Sequence, residues 1–242
     1  MNLWLAKAAS PDEARLLRKY RIPDQAFEEP FAPEYVIQTL SFPYQYGRAF
    51  VQDLFDEGNW KRVNQAYGQL PQSTEQIMHP EKYRQGEAPV LVEDMPLLLV
   101  LGEEWRPIKT NTLGEWNTFL MLAYGTEKLA KQVVKDAEVA AAGWGGDQYQ
   151  VYYNASSEQS VLAAHWVWDT EQDAQEFAAS MQAYLAARFL NSAITLPAGM
   201  CWEYNSQTTC FYSQGNHSLW LLAPDQGTLD LALSLYTQFQ NP

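Results

Sequence analysis

Glu75 and His79 stand four residues apart in PQSTEQIMHPEKY, residues 71–83. At helical spacing an acid and an imidazole share one face, an arrangement that can serve a metal ion or acid/base chemistry. The flanking residues also define a short helix. Ser73 and Gln76 fit an S-x-x-Q capping box. Ile77 and Met78 are the apolar residues available to bury. Pro80 stops the helix at about His79, because the residue before a proline avoids the α region. A bounded helix therefore accounts for the pair without a metal.

The remaining candidate groups are scattered. A zincin needs histidines at i and i+4 with a glutamate between them. Tyr83, Asp169 and Leu221 lie four residues after His79, His165 and His217, so no such pair forms. No zinc or other cofactor is expected. There is no G-x-S-x-G elbow, P-loop or G-x-G-x-x-G. GWGGD (143–147) reads as a helix C-cap and turn. Glu28-Glu29, Glu93-Asp94 and Glu103-Glu104 are sequence neighbours and read as solvated loops. His165 alternates with Trp166 and Trp168 and reads as a sheet-surface histidine. His217, beside a turn, reads as solvated. Trp166, Trp168, Trp202 and Tyr204 read as core, with a ligand groove as the alternative.

Periodicity supplies the elements that position these groups. Ser10-Pro11-Asp12-Glu13 starts a helix, and a proline-broken connector spans Arg21–Pro33. Pro43 opens another helix, with Tyr46, Phe50, Val51, Leu54 and Phe55 as its stripe and Gly58 as its C-cap. A short helix follows with Trp60, Val63 and Tyr67 on one side. Glu87–Pro107 is irregular. Thr112 and Glu115 form a capping box, and Thr126 caps a longer helix that runs into GWGGD. After Gly146 the period becomes two. Strands flank a turn at 154–159, and Thr170 caps a helix burying Phe177, Met181, Tyr184, Leu185 and Phe189. A hairpin, a strand and a last helix holding Leu229, Leu233 and Tyr236 complete the chain. The predicted fold is α+β: a mostly helical part (1–142), then a β-β-α-β-β-α antiparallel layer (143–242) with helices on one face.

The chain has 242 residues, of which 47% are hydrophobic and 14% aromatic. That is enough for a substantial core. A net charge of -13 disfavours nucleic-acid and anionic-membrane partners. The apolar run Met95–Gly102 is far short of a membrane span. In CWEYNSQTTCFY, a two-residue turn at Asn205-Ser206 places Cys201 opposite Cys210 in a non-hydrogen-bonded pair, where side chains are closest. A cross-strand disulfide is predicted, provided the compartment is oxidising; the alternative is two semi-buried thiols.

The run FPYQYGRAFVQDLFDEGNWKRVNQAYGQLPQSTEQIMHPEKYRQGEAP, followed by TLGEW, AAGWGGDQYQVY and WDTEQDAQEFAASMQAYLAAR, resembles secreted or envelope-associated bacterial proteins of a gluzincin-type zinc metallopeptidase-like family. The likeness covers roughly Phe42–Arg188. It implies an upstream HExxH helix and an E-G-D-A segment, with Met1 at an internal methionine just past the metal site. The zinc ligands and general base are then absent. The implied function is a catalytically incompetent C-terminal part, structural or accessory and extracytoplasmic. In an intact protein Glu75 and His79 would face the metal cleft, and His79, with Tyr44 and Tyr46 behind it, would be an accessory group near an oxyanion; in this chain alone that role is empty. Met1–Ala9, exposed, would favour a homodimer. The alternative is a self-standing envelope module that binds a protein, peptide or glycan through its aromatic sheet face.

Overall fold

The computed structural model describes residues 32–190, 193–196, 199–204 and 207–240. The helix start at Ser10 and the Met1–Ala9 surface lie outside the described residues, as do the Asn205-Ser206 turn and all but the end of the Arg21–Pro33 connector. From Pro33 onward the described residues belong to one compact unit. The change from helix to strand at Gly143 lies inside it.

The helical part begins with α1 (Glu34–Phe42), a π-turn (Pro43–Gly47) and α2 (Arg48–Ala66). Gly58 and Asn59 interrupt α2 with non-helical angles, so Gly58 marks a break and not a left-handed cap. Phe50, Leu54 and Val63 are buried, but Val51, Trp60 and Tyr67 are exposed. The apolar stripe is narrower than its spacing suggests. Next come α3 (Thr74–Met78), α4 (Pro80–Gln85) and α5 (Leu98–Leu101).

Seven antiparallel strands form one sheet in the order β1-β2-β3-β7-β6-β5-β4. They are β1 (Trp105–Asn111), β2 (Trp144–Asn154), β3 (Gln159–Trp168), β4 (Ile194–Leu196), β5 (Gly199–Tyr204), β6 (Gln207–Gln214) and β7 (His217–Ala223). The α+β architecture is as the period change implies. β1 and β4 are additions at the two edges, so four strands follow α8 where the predicted order has two; β1 is exposed, with a register shift after Pro107. Proline and an edge position are compatible, since an edge strand has donors to spare.

Helices α6 (Gly114–Tyr124), α7 (Val134–Ala141) and α8 (Glu171–Phe189) cover one face. The other face is also covered, by α5, by α9 (Gln226–Leu233) and by a 3-10 turn (Thr237–Phe239). Thr170 and Asp173 form the capping box of α8, and all five predicted residues of its inner face are buried. The expected cap at Thr126 does not form. Gln132 N donates to Leu122 O, which folds that segment back on α6, and α7 starts only at Val134.

Trp166, Trp168 and Trp202 are buried in the α8-side core, not along a groove. Burying an indole also removes its N–H from water, which is costly without an acceptor. Trp166 Nε1 donates to Thr118 Oγ1, and Trp168 Nε1 donates to Ser218 Oγ, each at 3.2 Å. Trp220 Nε1 reaches Thr209 Oγ1 at 2.7 Å. The aromatic payload of this sheet is thus core.

Cys201 faces Cys210 in the register expected from the turn, and the two form a disulfide with Cα atoms 4.1 Å apart. The sequence separation is 9. Loop-closure entropy for so short a loop gives roughly 3 kcal/mol. Cys201→Ser with Cys210→Ser is expected to lower unfolding stability by about that amount. A thiol titration of denatured, unreduced protein should find no free thiol; two would remove the bridge.

Candidate functional site

Among the described residues, a concentration of interacting charged groups surrounds the segment 71–87. Ser73 caps α3, its hydroxyl accepting from Gln76 N at 3.1 Å. The reciprocal arm of the expected box lands one residue earlier, since Gln76 Oε1 accepts from Gln72 N. Gln76 Nε2 donates to Glu87 O at 2.6 Å. Contrary to the apolar reading, the buried residues of α3 are Glu75 and Gln76, while Ile77 and Met78 are only partly buried. His79 has non-helical angles, and Pro80 opens α4 in the next step. One proline therefore ends one helix and starts another. Gly86, at φ 69°, closes α4 where only glycine is unstrained.

Glu75 and His79 take different partners. Glu75, 3% exposed, accepts from Lys82 Nζ at 2.7 Å. The same ammonium donates to Glu87 Oε1 at 2.7 Å and to Asp169 Oδ2. Glu75, Glu87 and Asp169 bring oxygens within 4.8 Å of one another, a spacing that suits a cation. Lys82 is that cation: its three N–H donors match three acceptors. Burial pushes the Glu75 carboxyl up to about 7, against the opposing pull of Lys82. Burial would lower the Lys82 ammonium, but hydrogen bonds to Asp169, Glu75 and Glu87 outweigh it and raise its pKa.

His79 Nε2 lies 2.8 Å from Glu115 Oε1. Glu115 is 1% exposed, and its second oxygen, Oε2, has no hydrogen-bond partner. That contact raises the His79 pKa, so the imidazole keeps its proton to a higher pH than a free one. Tyr46 stacks on Phe42 and tilts against Trp116 at 5.0 Å, as part of the aromatic packing beside α6. Tyr44 is 79% exposed.

Asp147 closes the arrangement from the sheet. Its Oδ1 accepts from Gly114 N and Trp144 Nε1, both at 2.8 Å, and Oδ2 accepts from Leu113 N at 2.7 Å. It caps α6 in place of Thr112, whose hydroxyl instead donates to the Asp147 carbonyl. Thr74 Oγ1 adds an acceptor for Trp116 N at 3.2 Å. The glycines of GWGGD make this possible: Gly143 turns at φ 72°, and a Cβ on Gly146 would lie 2.2 Å from Val90 O. An open pocket of about 390 Å³, lined among others by Ser73, Thr74, Leu91, Asp147 and Gln148, lies alongside.

Lys82, Glu87, Glu115, Asp147 and Asp169 are the site residues the sequence reading missed. A signal was present. Each lies in, or beside, one of the strings on which the expected resemblance rests: STEQIMHPEKY, TLGEW, GWGGD and WDTEQDA. The strings are far apart in the chain and converge on one polar knot.

His165 and His217 are brought together elsewhere. His165 is buried and not on an open sheet surface, because the last helix and 3-10 turn cover that face. Its Nε2 lies 3.1 Å from His217 Nδ1, so His217 is not merely solvated. Burial first, then His217, pushes the His165 pKa from the usual 6.5 down to about 4. Because this folded-state pKa is depressed, the unfolded chain binds the extra proton. Stability is full above about pH 6.5 and falls as pH drops toward 4, by about 3 kcal/mol. His165→Leu should flatten that part of an acid-denaturation profile; an unchanged slope would contradict it.

The fold is thus an α+β domain built on a seven-stranded antiparallel sheet. Residues 103–232, just over half of the chain, match the family described as Domain of unknown function (DUF8575), and the chain belongs to that family. The match spans β1 to α9, including Glu115, Asp147 and Asp169, and starts downstream of Glu75 and His79. No curated protein and no solved structure matches the chain. Among the described residues, no helix is long and apolar enough to cross a membrane.

Proposed function

We propose that the chain is a non-catalytic, accessory part of a metallopeptidase-like protein, in which the polar knot fixes the helical segment 71–87 to the DUF8575 sheet. The observation that carries this reading is the pairing itself. Glu75 is taken by Lys82, His79 by Glu115, and Asp147 by three donors. A general base needs a free lone pair within reach of a substrate proton, and Glu75 Oε1, His79 Nε2 and both Asp147 oxygens are engaged within the chain. The Cys201–Cys210 disulfide supports an extracytoplasmic setting. In an assay with added zinc and a mixed peptide library, no hydrolysis above buffer is expected. Hydrolysis abolished by Glu75→Gln or His79→Ala would overturn the proposal.

An interaction module is the second reading, and one observation favours it. Tyr44, Trp60 and Tyr67 are large, exposed and all on the helical part. Large exposed aromatics suit a protein or peptide partner. This moves the contact surface from the sheet to the helices. Sedimentation at rising concentration tests its homodimer form, and a strictly monomeric chain would exclude that form.

A further inference from the structure

The sheet face opposite α8 carries a polar row that the knot does not use. Gln148 on β2 is registered opposite His165 on β3, and His217 on β7 opposite Gln214 on β6. On β7 the residue registered with His165 is Leu219, two positions from His217. The row therefore crosses four adjacent strands. Beside the 3.1 Å contact between the imidazoles, the Gln238 amide sits 3.2 Å from the same His165 Nε2. The Tyr236 and Phe239 rings stand edge-on to the 7%-exposed His165. Gln148 Oε1, His165 Nδ1 and Gln214 Oε1 are buried without a hydrogen-bond partner.

We propose that His165 Nε2, His217 Nδ1 and the Gln238 amide hold a divalent transition cation of the zinc–copper class. Two nitrogens at roughly 2.0–2.1 Å from a tetrahedral ion stand about 3.3 Å apart, close to the separation here. The oxygen and nitrogen of a glutamine amide exchange on a flip, so Gln238 Oε1 can face the ion. Imidazoles select zinc, copper or nickel over magnesium and calcium, and no carboxylate is needed in the set. Ligation through Nε2 leaves the His165 proton on Nδ1.

The test is calorimetric titration of the EDTA-treated full chain with zinc, copper(II) and magnesium salts. One equivalent of zinc or copper is expected, and no magnesium. His217→Ala, at a half-buried position that tolerates truncation, should weaken binding about tenfold or more. Gln238→Ala should weaken it less. Copper(II) should show hyperfine structure from two imidazole nitrogens, reduced to one in His217→Ala. Glu75→Gln should leave binding unchanged, which separates this site from the knot. Absence of saturable binding, or binding that survives His217→Ala, overturns the proposal.

Discussion

Asp147→Ala is expected to lower the unfolding free energy by about 3–5 kcal/mol. The residue is 4% exposed and accepts three hydrogen bonds, from Leu113 N, Gly114 N and Trp144 Nε1. Two of these belong to the start of α6, where backbone donors have no partner inside the helix. Alanine leaves all three donors buried and unmet, and removes the negative charge from the positive end of the helix. Asp147→Asn keeps one acceptor oxygen but turns an N–H₂ group toward donors, so roughly half the loss is expected. Urea denaturation followed by tryptophan fluorescence reads both. An alanine variant within about 1 kcal/mol of the parent would mean that the cap carries little.

Lys82→Met is the second large effect, and it depends on pH. The substitution removes the cation shared by Glu75, Glu87 and Asp169. Glu87 and Asp169 are about a third exposed and water screens them, so Glu75 carries most of the cost. An ionised glutamate left buried without its partner costs about 3–5 kcal/mol. Glu75 already titrates near 7, and losing Lys82 moves it higher still. A raised folded-state pKa means that the folded chain binds the proton first. Stability is therefore greatest at low pH and falls as pH rises through the folded pKa. The loss caused by Lys82→Met through Glu75 should be small at pH 5, where both proteins hold that carboxyl protonated, and should grow as pH rises past about 7, by up to about 1.4 kcal/mol per pH unit. Equal losses at pH 5 and pH 8 would show that Glu75 does not depend on Lys82.

Much of the sheet half was legible from local pattern. The α8 helix announces itself through Thr170 and a 3.6-residue stripe, and the hairpin register follows from position sums about one turn. Both depend on residues close in sequence. β1 was not legible, because an exposed edge strand carrying Pro107 shows neither alternation nor an apolar face. The helix expected after Thr126 was overridden by a tertiary bond from Gln132 to Leu122. The candidate site was half legible. PQSTEQIMHPEKY shows its cap, its stop and its two candidate groups. It does not show that Glu75 turns to Lys82, or that His79 turns to Glu115, 36 positions away. The His165–His217 pair spans 52 positions and depends on how β3 and β7 register. No single-strand pattern contains that information.

Under the proposed function, His79 and Glu75 are internal ties, not members of an open reaction site. The most direct measurement is a double-mutant cycle on unfolding free energy with His79→Ala, Glu115→Gln and the double variant. A 2.8 Å contact to a buried carboxylate predicts a coupling of about 1 kcal/mol or more between the two positions. Strictly additive losses, with coupling below about 0.3 kcal/mol, would contradict the account and leave His79 free for another role.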